Sequence, residues 1–187
     1  QLQSYRAMSF KEELWNAITH GVGFLISIPV TVLLIIQAAS MNSAIHIITF
    51  SIFGASLILL FLMSTLLHSM PVKYKRFFAI LDHSSIYILI AGTYTPFLII
   101  AIGGALGITL LCIIWSIAIF GIVFKCYFID RFEKFSLALY IAMGWMIVFA
   151  IKPIYAYLQV EGITILVLGG ILYTFGSIFY MWRSLKY

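Results

Sequence analysis

Charged residues are scarce in this chain, and their scarcity excludes an ordinary soluble domain. Only 9% of the 187 residues are Asp, Glu, Lys or Arg, whereas soluble domains have about 25%. The two cysteines, Cys112 and Cys126, would lie ~21 Å apart along one helix, too far to form a disulfide with each other. The chain also lacks a phosphate-binding glycine loop, a Gly-x-Ser-x-Gly elbow and a Cys-x-x-Cys zinc motif, so these three kinds of site gain no support.

Long apolar runs make up most of the chain instead. Hydrophobic residues account for 64% of it, and the mean hydropathy is +1.13. Runs beyond ~18 apolar residues are typical of transmembrane helices, which need about 20 residues to cross the hydrocarbon layer. We predict an all-α polytopic transmembrane helix bundle that forms a single domain over residues 1–187. The helices are predicted at residues 17–39, 45–69, 79–101, 104–127, 136–158 and 162–182.

Basic residues fall on one side of the predicted membrane. If the chain crosses six times, ten of the eleven Lys and Arg residues share that side, and only Lys152 lies in the other half. The positive-inside rule then places the N-terminus and the C-terminus in the cytoplasm, with the protein in the inner (plasma) membrane. Because the basic residues are divided among four short segments, the net charge of +5 does not indicate nucleic-acid binding.

Asp82 is the only carboxylate that lies well inside an apolar run. A charged group at the centre of a bilayer costs ~2.5–3.5 kcal/mol on insertion scales, so Asp82 marks a candidate functional site. Ser64 and His68 lie one helical turn apart at the end of the preceding run, at a similar depth. The structural alternatives are an ion pair of Asp82 with the basic loop 73–76, and ordinary helix-to-helix or backbone hydrogen bonds for the other two residues.

The first apolar run opens with Glu13, Asn16 and His20, spaced i, i+3 and i+7. Helix 1 starts on the side of the membrane where helix 2 ends, so polar groups from three helices should converge in one leaflet. The structural alternative is that Glu12 and Glu13 only favour a helix N-terminus and that Asn16 only bonds a neighbouring helix. His83 points to a different face of its helix from the acid before it, so we expect it to be a supporting or a solvent-facing residue.

Together these motifs resemble the hemolysin III branch of the PAQR (progestin and adipoQ receptor) superfamily. The pattern Glu-x-x-Asn-x-x-x-His at 13–20 is similar to its first motif, and Ser-x-x-x-His at 64–68 followed by Asp82 is similar to its second. The segments NAITHGVG, STLLHS, LDHSSIYILIAGTYTP and LGGILYTFGSIFY also fit, so the resemblance covers essentially the whole chain.

The resemblance implies seven helices, a cytoplasmic N-terminus and a zinc site in the inner-leaflet half of the bilayer. By that resemblance, His68 is a direct zinc ligand, Asp82 holds the zinc-bound water, and Ser64 supports Asp82. Asp82 and Ser64 are therefore the expected catalytic residues. The residues expected to support them are Glu13, Asn16, His20 and His83.

One part of the family pattern is missing from the sequence. The third motif, His-x-x-x-His on a seventh helix, does not occur within residues 1–187, and the sequence begins with Gln1 instead of Met. We therefore expect the sequence to be a piece of a longer protein. The zinc site within it should be incomplete, because zinc normally takes about three protein ligands plus water.

The expected activity is zinc-dependent hydrolysis of an amide or ester bond in a membrane lipid. Zinc lowers the pKa of bound water to ~7, and a nearby carboxylate can orient that water or accept its proton. A second interpretation is a membrane-damaging cytolysin or pore, although no helix has a continuous polar stripe to line a channel. A third is a receptor or sensor without chemistry.

Overall fold

Six helical segments make up the part of the chain that the computed structural model describes, residues 9–129 and 131–185, with side chains as far as residue 176. They are α1 (Phe10–Ser40), α2 (Ala44–Ser69), α3 (Val72–Ile102), α4 (Gly104–Phe128), α5 (Glu133–Tyr157) and α6 (Val160–Leu185). The first five are long and apolar enough to cross a membrane, and α6 has a shorter apolar stretch, Val160–Gly176. No strand occurs among the described residues, which confirms the predicted all-α bundle.

Three helices, α1, α3 and α5, begin three or more residues earlier than the apolar pattern predicts, and α1 shows why. The Ser9 side chain accepts a hydrogen bond from the Glu12 backbone at 3.3 Å, and the Glu12 carboxylate accepts one from the Ser9 backbone N–H at 2.9 Å. This capping box starts α1 at Phe10. Hydropathy marks where a helix enters the hydrocarbon, whereas the cap marks where the helix begins. The early starts matter because they make Glu13 helical and place it on the inward face of α1.

The centre of α5 is irregular, and a tyrosine from α3 holds it in place. Met146–Ala150 is a 3-10 segment, just ahead of Pro153, whose missing N–H and bulky ring disturb the preceding helical turn. The Tyr94 hydroxyl donates to the Gly144 carbonyl at 2.8 Å and accepts from the Ile147 N–H at 2.9 Å. Backbone groups freed by the break are therefore satisfied inside the bundle, as they must be at membrane depth.

The apolar core lies between α3, α4 and α5. Fully buried side chains such as Tyr87, Leu98, Ile114 and Met143 fill it. Small residues let the helices approach closely, and the clearest case is Gly121 of α4, which lies directly against the ring of Tyr87. The helices α1, α2 and α3 pack in sequence, each against the next. This arrangement leaves the polar residues of α1, α2 and α3 facing one another at one end of the bundle.

The orientation of the bundle in the membrane stays a prediction, and cysteine labelling can test it. In a background of Cys112→Ser and Cys126→Ser, a Lys73→Cys variant should react with a membrane-impermeant maleimide only after permeabilisation, since the positive-inside rule puts exposed Lys73 in the cytoplasm. The matched control is Met41→Cys, at the half-exposed turn at the opposite end of α1, which should react in intact cells. Labelling of Lys73→Cys in intact cells would show that the orientation is reversed.

Candidate functional site

Polar side chains of α1, α2 and α3 meet in one cavity of about 430 Å³, where α2 ends and α3 begins. Its polar lining consists of Glu13, Asn16, His20, Ser64, His68, Lys75, Asp82 and His83. The structure therefore brings all seven predicted site residues to the same cavity. It adds Lys75, which the sequence suggested only as an ion-pair partner for Asp82.

Glu13 connects the three helices by binding two side chains with one carboxylate oxygen. Its Oε2 accepts a hydrogen bond from Lys75 Nζ at 2.6 Å and lies 2.9 Å from His68 Nδ1. Glu12 forms the capping box with Ser9, and Glu13 also lies in the first turn of α1, so Glu13 contacts two other helices in addition to favouring the helix start.

The contact with Glu13 also determines which nitrogen of the His68 ring carries the proton. A carboxylate accepts hydrogen bonds, so His68 Nδ1 carries the proton that faces Glu13. In the neutral imidazole, Nε2 then has the free lone pair, which is the form that binds metal ions. A histidine whose second nitrogen bonds a carboxylate is the usual arrangement around a bound metal, because the carboxylate fixes the ring and raises its basicity.

Asp82 faces the same cavity from α3, with Ser64 beside it. The Ser64 hydroxyl lies next to the Asp82 carboxylate and interacts with it, and His68 is close enough to act on its charge. Ser64 is 5% exposed, so this contact is shielded from solvent. Lys75, one of the three basic residues that the ion-pair alternative offered to Asp82, is bound by Glu13 instead.

His20, Asn16 and His83 complete the walls of the cavity. The His20 ring lies nearly parallel to that of His68, with centroids 6.0 Å apart and planes 13° apart. On its other side His20 packs near Phe61, with centroids 6.2 Å apart. His20 therefore forms the wall of the cavity beside the His68 ring, and its supporting role stays a prediction. His83 lines the cavity, and its Nδ1 is buried, so its side chain is not simply solvent-facing.

These residues fit part of a zinc site. Within residues 9–129 and 131–185, no three His, Cys, Asp or Glu side chains are grouped closely enough to hold a metal ion. His68 Nε2 would supply one nitrogen ligand, the Asp82 carboxylate in the same cavity would hold a zinc-bound water, and Glu13 supplies the outer hydrogen bond to His68. Zinc normally takes about three protein ligands and water, so further ligands are needed to complete the set.

A second cavity, of about 340 Å³, lies on the other side of Asp82 and His83. Lys125 of α4 and Ser136 of α5 line it, and they are 3% and 1% exposed. Of the seven predicted site residues, only Asp82 and His83 line this cavity, and both also line the first one. One feature of the sequence could have indicated that Lys125 is buried: it lies inside the predicted helix 104–127 and not in the loop that follows.

The Glu13 contacts lead to a stability prediction. Glu13→Gln should lower the free energy of unfolding by about 1.5–3 kcal/mol, because His68 and Lys75 lose a charged hydrogen-bond acceptor. The matched control is Glu161→Gln, which removes an exposed carboxylate from the first turn of α6 and should cost less than about 1 kcal/mol. Unfolding in mild detergent, followed by circular dichroism, measures both. Equal losses in the two variants would show that the contacts of Glu13 contribute nothing.

Comparisons with known proteins agree with the resemblance. The family model described as "Haemolysin-III related" matches residues 8–186. The chain is 54% identical over 180 residues to the hemolysin-3 homolog of Bacillus subtilis (strain 168), covering 96% of this chain and 84% of that protein. It is 53% identical over 178 residues to hemolysin-3 of Bacillus cereus, covering 95% and 81%. It is also 27% identical over 139 residues to the human monocyte to macrophage differentiation factor, covering 71% and 57%.

Proposed function

Since the chain belongs to the haemolysin-III-related family of multi-pass membrane proteins, we propose that it is a zinc-dependent hydrolase of an amide or ester bond in a membrane lipid. One observation carries the proposal. His68, held through Nδ1 by Glu13, shares a polar cavity with Asp82 and Ser64. This combination offers a preoriented metal-binding nitrogen beside a carboxylate.

Five residues of the cavity have a defined task in this proposal. Glu13 fixes the His68 ring so that Nε2 is available as a ligand, and Lys75 holds Glu13 in place. Asp82 orients the attacking water and accepts its proton at the carboxylate, while Ser64 orients Asp82. Zinc, when bound, supplies a Lewis acid that makes water reactive near neutral pH. The remaining ligands follow from the resemblance, which implies a His-x-x-x-His motif that residues 1–187 do not contain.

The place of the cavity suits a lipid substrate. It lies at the end of α2 and the beginning of α3, which in the predicted membrane arrangement is the depth of the headgroups and of the first bonds of the acyl chains. Apolar side chains such as Leu60 and Ile86 complete its lining, and they can contact the hydrocarbon next to a scissile bond. In the predicted orientation this end of the bundle faces the cytoplasm, so the substrate would come from the inner leaflet of the plasma membrane.

Membrane damage is the second candidate function, because two bacterial relatives are named hemolysin-3. The packing of the described residues argues against a pore through one chain. Tyr87, Leu98, Ile114 and Met143 pack in the core between α3, α4 and α5, so the middle of that part of the bundle is lined by apolar and aromatic side chains and not by the polar side chains of a channel. If the protein lyses membranes, hydrolysis of lipids is therefore the better explanation.

One experiment separates the two functions. Full-length protein is reconstituted in vesicles that contain lipid esters and lipid amides and an entrapped dye, and products are measured by mass spectrometry. We expect zinc-dependent product formation, and any dye release should follow it and stop in the Asp82→Asn variant. Dye release that persists in Asp82→Asn without any product would support a pore. Zinc-loaded protein that forms no product from any of these lipids would contradict the hydrolase.

A further inference from the structure

The second cavity contains a group of buried polar atoms that the proposed reaction does not use. The cavity lies between α3, α4, α5 and α6, and its polar lining includes His83, Lys125 and Ser136, with Glu133 at the start of α5. Asp82 and His83 separate it from the first cavity, because both residues line both spaces. The two cavities therefore share one wall.

Lys125 is the most informative residue of this group. A lysine near the end of a membrane helix normally extends its ammonium group to water, yet Lys125 is only 3% exposed. Burying an ammonium ion costs several kcal/mol unless an opposite charge or good hydrogen bonds compensate. Glu133 acts on Lys125 electrostatically, but it is exposed at the start of α5. Lys125 lines the cavity, so its positive charge lies at the wall of this space.

Two other polar side chains add hydrogen-bonding capacity to the cavity. Among the described residues, the buried His83 Nδ1 has no hydrogen bond to the protein, and the Ser136 hydroxyl lines the same space while it also interacts with Tyr87. Buried polar atoms are nearly always hydrogen-bonded in native proteins, so the His83 nitrogen beside the Lys125 ammonium group indicates a place for a bound group. A positive charge beside hydrogen-bonding side chains is the chemistry that recognises an anion.

The wall of the cavity is held rigidly by hydrogen bonds between helices. The Tyr140 hydroxyl donates to the His83 carbonyl at 2.9 Å, which links α5 to α3. The Tyr173 hydroxyl donates to the Tyr140 carbonyl at 2.6 Å, which links α6 to α5. Because the backbone at His83 is fixed in this way, its ring is positioned before any ligand arrives, which lowers the entropic cost of binding.

We propose that this cavity binds an anionic group, a phosphate or a carboxylate, whose charge is neutralised by Lys125 and whose oxygens are hydrogen-bonded by Ser136 and His83. Lys125 lies in the last turn of α4, so the group is held at the level of the lipid headgroups. The anion can belong to a lipid or can be a free ion. Binding there does not depend on zinc or on hydrolysis, so it can be tested separately from the proposed reaction.

The test measures binding of dihexanoyl phosphatidylglycerol to the full-length protein in a neutral detergent, by isothermal titration calorimetry. Lys125→Met, which keeps much of the side-chain volume, should weaken binding by at least about tenfold, and Ser136→Ala by about threefold to tenfold. The matched control is Lys134→Met, which removes an exposed lysine near the start of α5 and should leave the affinity unchanged. Dihexanoylglycerol has the same chains without the phosphate and should not compete.

Inorganic phosphate distinguishes the two sources of the anion. If it competes at the concentration at which the lipid binds, the site accepts free anions; if only the lipid binds, the site is a headgroup site. The proposal is overturned if Lys125→Met binds the lipid as well as Lys134→Met does, or if the wild-type protein shows no saturable binding of either probe. Should Lys125→Met fail to fold, as judged by its melting temperature, Ser136→Ala decides the question, since it removes only one hydroxyl oxygen.

Discussion

Replacing Asp82 by asparagine is expected to lower lipid hydrolysis by the full-length protein by at least about 100-fold, while most of the bound zinc remains. The amide keeps the shape of the side chain and its contact with Ser64, but it cannot accept a proton from the attacking water. Single-turnover rates in vesicles and the zinc content of the same samples measure the two effects. Because this variant changes proton transfer and leaves His68 and Glu13 unaltered, it isolates the task assigned to Asp82.

The Ser64→Ala variant is the matched control for Asp82. Removing a group that only orients a catalytic residue typically costs about 10–100-fold, so Ser64→Ala should retain more activity than Asp82→Asn. If Asp82→Asn instead loses zinc and activity to the same extent, Asp82 is a metal ligand and the role given to it here is wrong. If it keeps full activity, the proposed mechanism fails.

Replacing His68 by alanine should remove most of the zinc from the full-length protein. The variant loses one of about three protein ligands, and Glu13 loses the ring that it orients. The control is His46→Ala, because His46 also belongs to α2 but lies at its opposite end, where its Nδ1 is 2.8 Å from the Ser43 hydroxyl. Zinc measured by inductively coupled plasma mass spectrometry should stay near the wild-type value in His46→Ala.

Two outcomes of the histidine experiment would count against the site. A His68→Ala protein that keeps its zinc shows that the ion is bound elsewhere. Equal zinc loss in His46→Ala and His68→Ala shows a general effect of histidine removal on folding or purification. Comparing the melting temperatures of the two variants separates the second outcome from a specific loss.

The convergence of Ser64, His68 and Asp82 could be predicted from the sequence because depth in a membrane is simple to deduce. Consecutive membrane helices alternate in direction, so the end of one and the beginning of the next share a leaflet. The motif at residues 13–20 opens the first helix, which starts in the leaflet where the second helix ends, so the same reasoning assigned its residues to that leaflet. The structure brings these groups into one cavity, and the family comparisons confirm the resemblance that those motifs suggested.

The partners within the site could not be predicted in the same way. A hydropathy pattern detects the apolar turns of a helix and misses its polar first turns. It therefore showed neither that Glu13 is on the inward face of α1 nor that Lys75 is already part of α3. The contact of Glu13 with both Lys75 and His68 depends on how three helices rotate against one another. That rotation is set by packing, which no single sequence pattern encodes.

The second cavity was missed for a related reason. Lys125 stands near the end of an apolar run, where a lysine usually extends to the membrane surface, so the sequence alone favoured a topological role. Its burial depends on α5, which packs against α3 and α4 and brings Ser136 to the same space. A lysine inside a predicted helix is therefore a sequence signal for a buried polar site, whereas its charge alone indicates only the orientation of the chain in the membrane.

Zinc K-edge X-ray absorption on the full-length protein tests the central claim most directly. We predict a zinc ion with nitrogen and oxygen ligands only, with Zn–N distances of about 2.0–2.1 Å, and an imidazole scattering pattern that weakens or disappears in His68→Ala. Sulfur ligands at about 2.3 Å would place the ion at a cysteine instead. A spectrum unchanged in His68→Ala, or a purified, active protein without zinc, would contradict the proposal that Glu13, His68, Ser64 and Asp82 form a hydrolytic metal site.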